Sequence, residues 1–307
     1  MRSYQTVSFA SLLLCVAGFG SAQAVVPGAV EESAAAPAPS VRVDRTGKRM
    51  VLIPPGTFKM GDNRGPEDDE RPAHQVTLTR GFYLDQYEVT RGDFAACVKA
   101  GVCFYPRRER MRPIVPLGPT QKDNWGLKYC NQEMPFGPPE HPLTCVNYDE
   151  SKLYCEVWRG GRLTTEAEWE WAARGGIEHA RFPWGDEPPT RSRALFDQFY
   201  GTKPVGNYAP NGYGLYDIAG SVWEWTEDWY DGKLYSKGAT TDPKGPCPGE
   251  LECRGYNHRT MRGGSWATGS LGMRVTYRNH HRGWNRFSVV GVRCAASVDG
   301  DVSPARR

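Results

Sequence analysis

The sequence predicts an α+β fold with much irregular structure, and three features point that way. Helix start and stop signals pair up in only three places. Strand-like runs are short and are not separated by helices in a βαβ rhythm. Turn formers are abundant, with 35 Gly and 24 Pro in 307 residues, so the chain changes direction often.

Taken in order, Met50-Val51-Leu52-Ile53, Gln75-Val76-Thr77-Leu78 and Gly81 to Tyr87 read as strands. Between the first two, Asp62 to Glu70 is acidic and reads as a solvated loop. Thr90 opens the first helix, Asp93 three residues on completes a capping box, and Gly101 stops it. Pro106 to Pro142 holds eight prolines and no helical period. A long irregular loop of that kind within a compact domain is often functional. A second helix spans roughly Asp149 to Trp158 and is stopped by Gly160-Gly161. A third starts at Thr165, with Glu168 as its capping partner, and runs to Arg174 before Gly175-Gly176. A last strand is expected over Val289 to Ala295.

Residues 1–24 read as an export signal. Arg2 gives the positive start, Val7 to Gly20 the apolar run, and Ser21-Ala22-Gln23-Ala24 a small-x-small cleavage site. The run is too short for a transmembrane segment. Cys15 follows Leu14 rather than a small residue, which argues against a lipid anchor. The expected location is therefore periplasmic or secreted. Residues 25–47 are rich in Ala and Pro and read as a flexible tether. Residues 48–297 form one domain, since no second linker or internal repeat is visible, and residues 298–307 a disordered tail. The net charge of +3 and the lack of a basic block beyond Arg107-Arg108-Glu109-Arg110 argue against nucleic acid as a partner.

Apart from Cys15, eight cysteines remain: Cys97, Cys103, Cys130, Cys145, Cys155, Cys247, Cys253 and Cys294. An even number in an exported chain implies disulfides, and the absence of Cys-x-x-Cys spacing weighs against zinc. Cys97 with Cys103 and Cys247 with Cys253 suit small loops, and Cys130 and Cys145 flank the Pro-rich excursion. Cys155 and Cys294 would then tie the middle of the domain to its last strand, although connectivity stays open from sequence.

The densest stretch is Asn211 to Trp225. It sets Asp217 and Glu224 among three glycines and four aromatic residues. A carboxylate in such surroundings is costly unless an Arg, backbone N–H groups or a cation meets it. Calcium suits the last role, because it takes carboxylates and main-chain carbonyls from irregular loops. A hydrogen-bonded turn leading into a core strand is the plainer alternative.

Val51 to Gly61, Arg71 to Thr90, Tyr154 to Gly176, Phe182 to Asp186, Asn211 to Trp225 and Arg262 to Trp266 together resemble the formylglycine-generating enzyme family, the sulfatase-modifying factors. Order and spacing agree from about Met50 to Ala296. The resemblance implies a variant C-type lectin-like fold with little regular secondary structure, export, and bound Ca2+. It places the calcium ligands on the side chains of Asp217 and Glu224 and the carbonyls of Gly220 and Val222. It also implies a Cys155–Cys294 disulfide. The family's second calcium site has no counterpart in Ala194 to Tyr208.

One departure bears on activity. The family oxidises a sulfatase cysteine to formylglycine with copper(I), held by two cysteines five residues apart after a Gly-Gly-Ser motif. Here Gly263-Gly264-Ser265-Trp266 is followed by Thr268 and Met273 at those positions. A hydroxyl cannot replace a thiolate toward a soft ion, so copper is not expected. The leading reading is a calcium-stabilised, non-catalytic binding module for a peptide, protein or sugar, with Ser265, Trp266, Trp223 and Tyr277 lining the cleft. The alternative is a metal-dependent oxidoreductase acting on a peptide or small molecule, with His280 and His281 beside Arg282 as new ligands. Neighbouring residues on a strand face opposite ways, however, which separates the two imidazoles. His74, His141, His179 and His258 are scattered along the chain. Sulfatase activation by cysteine oxidation ranks third, and a scaffold role through the tether is a further reading.

Overall fold

The computed structural model describes residues 40–105, 130, 137–198, 200–247 and 253–299. The signal segment, residues 25–39 of the tether, most of the Pro-rich loop and residues 300–307 lie outside the described residues. Twelve strands and three helices are present among the described residues. In chain order they are β1 (Val41–Val43), β2 (Arg49–Ile53), β3 (Gly56–Met60), β4 (His74–Leu78), β5 (Phe82–Asp85), α1 (Arg91–Lys99), α2 (Tyr148–Leu153), β6 (Arg162–Leu163), α3 (Glu166–Arg174), β7 (Trp223–Trp229), β8 (Thr240–Thr241), β9 (Arg259–Arg262), β10 (Asn279–His281), β11 (Val290–Gly291) and β12 (Cys294–Ser297).

The strands build three sheets. The largest has the order β1-β2-β5-β12-β6, the second β10-β9-β7-β11, and the third β3-β4-β8. Most neighbours are antiparallel, while β11 runs parallel to β7 and β8 parallel to β4. In β3 and β4 the residues alternate between core and solvent, with Phe58, Met60, Val76 and Leu78 facing inward. One core packs these side chains and those of β2 and β5 against Trp169, Ala172 and Ala173 of α3. A second joins Phe94 of α1, Tyr148 of α2, Trp225 of β7 and Val290 of β11. Each fully buried side chain such as Phe82 contributes about 1.5–3 kcal/mol relative to exposure.

The helix signals behave as their chemistry dictates. Thr90 and Asp93 form a reciprocal capping box, as do Thr165 and Glu168. Gly175 ends α3 at a φ of 60°, a left-handed conformation that favours glycine. Asn147 and Glu150 cap α2, which passes into a π-helical turn at Tyr154–Trp158.

Three expectations need correction. The tether does not extend to residue 47, because Val41–Val43 pair with Arg49–Val51 as an edge strand. The last strand is two strands in different sheets: Val290 and Gly291 pair with β7, then Val292 and Arg293 carry the chain across so that β12 enters between β5 and β6. Glu70, at the end of the acidic loop, is fully buried and accepts from Arg274 Nη1 at 2.5 Å and Thr276 Oγ1 at 2.7 Å.

Four disulfides staple the domain: Cys97–Cys103, Cys130–Cys145, Cys155–Cys294 and Cys247–Cys253. No helix among the described residues is long and apolar enough to cross a membrane.

Candidate functional site

Asn211 anchors the central loop. Its Oδ1 accepts from the N–H groups of Tyr213 and Leu215, each at 3.1 Å, and its Nδ2 donates to Ala172 and Ala173 at the end of α3. The chain then turns through left-handed residues at Asp217 (φ 55°), Gly220 (φ 88°) and Ser221 (φ 57°). A Cβ on Gly220 would lie 2.4 Å from the carbonyl oxygen of Leu195, so this approach excludes a side chain.

The turn buries an acidic cluster. Glu224, on β7, accepts from Arg293 Nε at 2.9 Å and from Trp169 Nε1 at 2.7 Å. Asp217 accepts from the N–H of Gly206. Glu88 accepts from Ser221 Oγ at 2.9 Å and from the N–H of Val222 at 3.2 Å. Burial pushes Asp217 up to about 6 against the opposing Gly206 hydrogen bond and Arg293. Burial, with the charges of Asp217 and Glu224, drives Glu88 well above the carboxylate range. Glu224 is raised by burial, which outweighs the pull of Arg293. Arg293 is the basic group acting on all three carboxylates. It also donates to the carbonyls of Asp85 (2.9 Å) and Tyr216 (2.8 Å).

Arg293 bonds Glu224 and acts on Asp217 and Glu88 only through space, and burial raises all three carboxylates toward their protonated forms, so a divalent cation would take the place of those protons. The carbonyls of Gly220 and Val222 accept no hydrogen bond among the described residues. Each Glu224 oxygen takes one donor and keeps a lone pair. The set has the hard oxygen donors that a divalent cation such as calcium takes. The hydrogen-bonded turn also has support, since Arg293 and Trp169 each donate to Glu224. Sequence reasoning missed Glu88 and Arg293, which come from β-strand connections far from the loop.

The second region lies around the 3-10 turn Ser270–Met273. Ser265 Oγ and Thr268 Oγ1 share a hydrogen bond at 2.7 Å. Met273 is 1% exposed and packs with Phe182, Ala194 and Phe196. The tryptophans expected beside it are buried as well. Trp266 is buried against Leu195 and Val222 and donates to the carbonyl of Ser288. Trp223 is buried with its ring 5.8 Å from the half-buried Tyr277. The surface here belongs to the half-buried Thr268 and to Leu271, which is 56% exposed. A cleft of about 250 Å³ elsewhere has Arg80, Arg162, Glu168, Asp242 and Lys244 among its walls and none of the expected site residues.

His280 and His281 separate as strand geometry requires. The ring of His281 lies 4.6 Å from Phe287, whereas His280 meets His258, Nδ1 to Nδ1 at 2.8 Å. His74 instead lies against Tyr235, and His141 bonds to Thr202. His179 is beside Glu178 at the surface. Among the described residues no three His, Cys, Asp or Glu side chains gather as a metal cluster.

The sheets, the glycine-built turn and the Gly-Gly-Ser loop together define a protein class. Residues 35–298 match the family model described as a sulfatase-modifying factor enzyme 1-like domain, and the chain belongs to this formylglycine-generating enzyme family, with its variant C-type lectin-like fold. Among individual proteins, it is 36% identical over 295 residues to the formylglycine-generating enzyme of Thermomonospora curvata, covering 81% of this chain and 93% of that one. It is 30% identical to the inactive C-alpha-formylglycine-generating enzyme 2 of Bos taurus, covering 81% of this chain and 88% of that one. The structure of PvdO from Pseudomonas aeruginosa superposes with a TM-score of 0.65 at 27% identity, over 86% of this chain and all (100%) of that one.

Proposed function

We propose that this chain is an exported, calcium-stabilised, non-catalytic member of its family that binds a peptide, protein or sugar. The observation that carries the reading is the chemistry at the two positions where the family holds copper. Thr268 offers a hydroxyl already bonded to Ser265, and Met273 a single buried thioether. The eight cysteines of the domain are joined in disulfides, so they offer no thiolate to take over. The residues therefore do not fit copper(I), which needs soft ligands. A relative whose own name calls it inactive shows that the family tolerates loss of activity.

Calcium would be held by Asp217, Glu224 and the carbonyls of Gly220 and Val222, and would supply the positive charge that the buried carboxylates lack. Its role is structural: it would fix the turn that leads into β7. The ligand surface would then be the rim formed by the exposed Leu271 and the half-buried Thr268 and Tyr277, carried on that base.

The test is an oxidation assay with copper, oxygen, a reductant and a sulfatase-type cysteine peptide, read by mass spectrometry. The expected outcome is no formylglycine above a copper-only control. The double variant Thr268→Cys with Met273→Cys is expected to gain copper(I) binding. Formylglycine made by the unaltered protein well above the control would refute the non-catalytic reading.

A further inference from the structure

A pair of imidazoles sits apart from the loop and the Gly-Gly-Ser turn, beside the far end of β7 from Trp223. His258 precedes β9, and His280 lies in β10, the edge strand paired with it. Their Nδ1 atoms face each other at 2.8 Å. Tyr230 touches both residues: its ring stacks on His280 with centroids 3.7 Å apart, and its N–H donates to the backbone carbonyl of His258 at 2.9 Å. Tyr230 is itself held by a hydrogen bond from its hydroxyl to Asp69 Oδ2 at 2.7 Å.

We propose that His258 and His280 form a chelating site for divalent copper, bound through the two Nδ1 atoms with solvent completing the coordination. The site is independent of the non-catalytic reading given above. Metal–imidazole bonds of about 2.0–2.1 Å separate two ligand nitrogens by about 2.9 Å when the bonds are perpendicular, and by about 3.3 Å in a tetrahedron. The hydrogen-bonded pair at 2.8 Å stands nearer the perpendicular separation, so a tetragonal ion asks for the smaller movement apart. Tetragonal geometry is the preference of copper(II), which also heads the affinity order of divalent ions at imidazole.

The absence of a third or fourth converging side chain among the described residues excludes a closed zinc centre there. Loading requires no net proton release. In the metal-free pair one imidazole donates its Nδ1–H to the other; on binding, that ring moves its proton to Nε2. Arg282 near His258 and Arg278 near His280 oppose a cation, while Asp69 and Glu166 favour one.

The test uses the purified chain without a polyhistidine tag, stripped by chelator and titrated with copper(II) alone. Electron paramagnetic resonance should show one tetragonal ion per chain, coupled to two imidazole nitrogens. His258→Gln or His280→Gln should each weaken binding by at least the roughly 10–100-fold that even an outer-shell partner costs. His281→Gln and His179→Gln should leave it unchanged, and zinc should bind more weakly than copper. A spectrum from the unaltered protein with fewer than two coupled imidazoles would overturn the proposal without any variant. So would folded His258→Gln and His280→Gln proteins that bind copper normally, or a preference for zinc.

Discussion

Arg293→Met tests how the acidic cluster is held. The guanidinium is buried and makes three contacts, to Glu224 at 2.9 Å and to the carbonyls of Asp85 at 2.9 Å and Tyr216 at 2.8 Å. Removing one partner of a buried ion pair costs about 3–5 kcal/mol, because the other charge is left uncompensated. At about 2–4 °C per kcal/mol for a domain of this size, the melting temperature should fall by about 6–20 °C. The assay is thermal unfolding followed by circular dichroism, in chelator and again with calcium. Without Arg293, the three carboxylates lose their shared cation, so the rise in melting temperature on adding calcium should be larger than in the parent. Adding Glu224→Gln to Arg293→Met should restore part of the loss, since the orphaned charge is gone. If Arg293→Met in chelator melts within about 2 °C of the parent, below the shift worked out above, the cluster does not depend on this cation and the charge argument fails.

Other outcomes follow from the same geometry. Asp217 is raised to about 6 from an ordinary 3.8, so its proton is held more tightly folded than unfolded. The stability it contributes is present below the unfolded value and is lost as pH rises through about 6 in chelated protein. Because His280 and His281, each lowered to about 4, act in the opposite sense, the readout is the stability difference between the parent and Asp217→Asn. That difference should shrink or reverse as pH rises, and a flat difference would contradict the assignment. Gly264→Ala places a Cβ 2.0 Å from Met273 Cε at a φ of +79°, and should cost about 1–3 kcal/mol by urea unfolding. Gly269→Ala, with nothing within 4 Å, should stay within about 0.5 kcal/mol of the parent. Removing Cys155 and Cys294 together should cost about 2–5 kcal/mol, and more than removing Cys247 and Cys253, because the separations closed are 139 and 6 residues.

What the sequence disclosed was mostly local. Capping boxes at Thr90 and Thr165 involve residues three apart, so the helices they start could be read directly. The strands β2 and β4 carry runs of branched and apolar residues, and were legible for the same reason. The two-residue strands β6, β8 and β11 have no periodicity of their own and exist because a distant partner fixes them. Site residues divide the same way. Asp217 and Glu224 stood out by their costly surroundings, and Thr268 and Met273 by departing from a motif. Arg293 and Glu88 reach the cluster only through tertiary structure, 69 residues after Glu224 and 134 before Val222 respectively. His258 meets His280 only because β9 pairs with β10, which no spacing rule announces.

The placement of β12 has a consequence for how the molecule is made. Cys294–Ser297 lie between β5 and β6 and pair with both, so the largest sheet remains split until those residues have left the ribosome. A nascent chain ending at Val292 lacks Arg293, the cation of the acidic cluster, and Cys294, the partner of Cys155. Such a chain has non-local pairings still to make and lacks the one long-range disulfide of the domain. Completion of the largest sheet is thereby deferred until nearly the whole polypeptide is released.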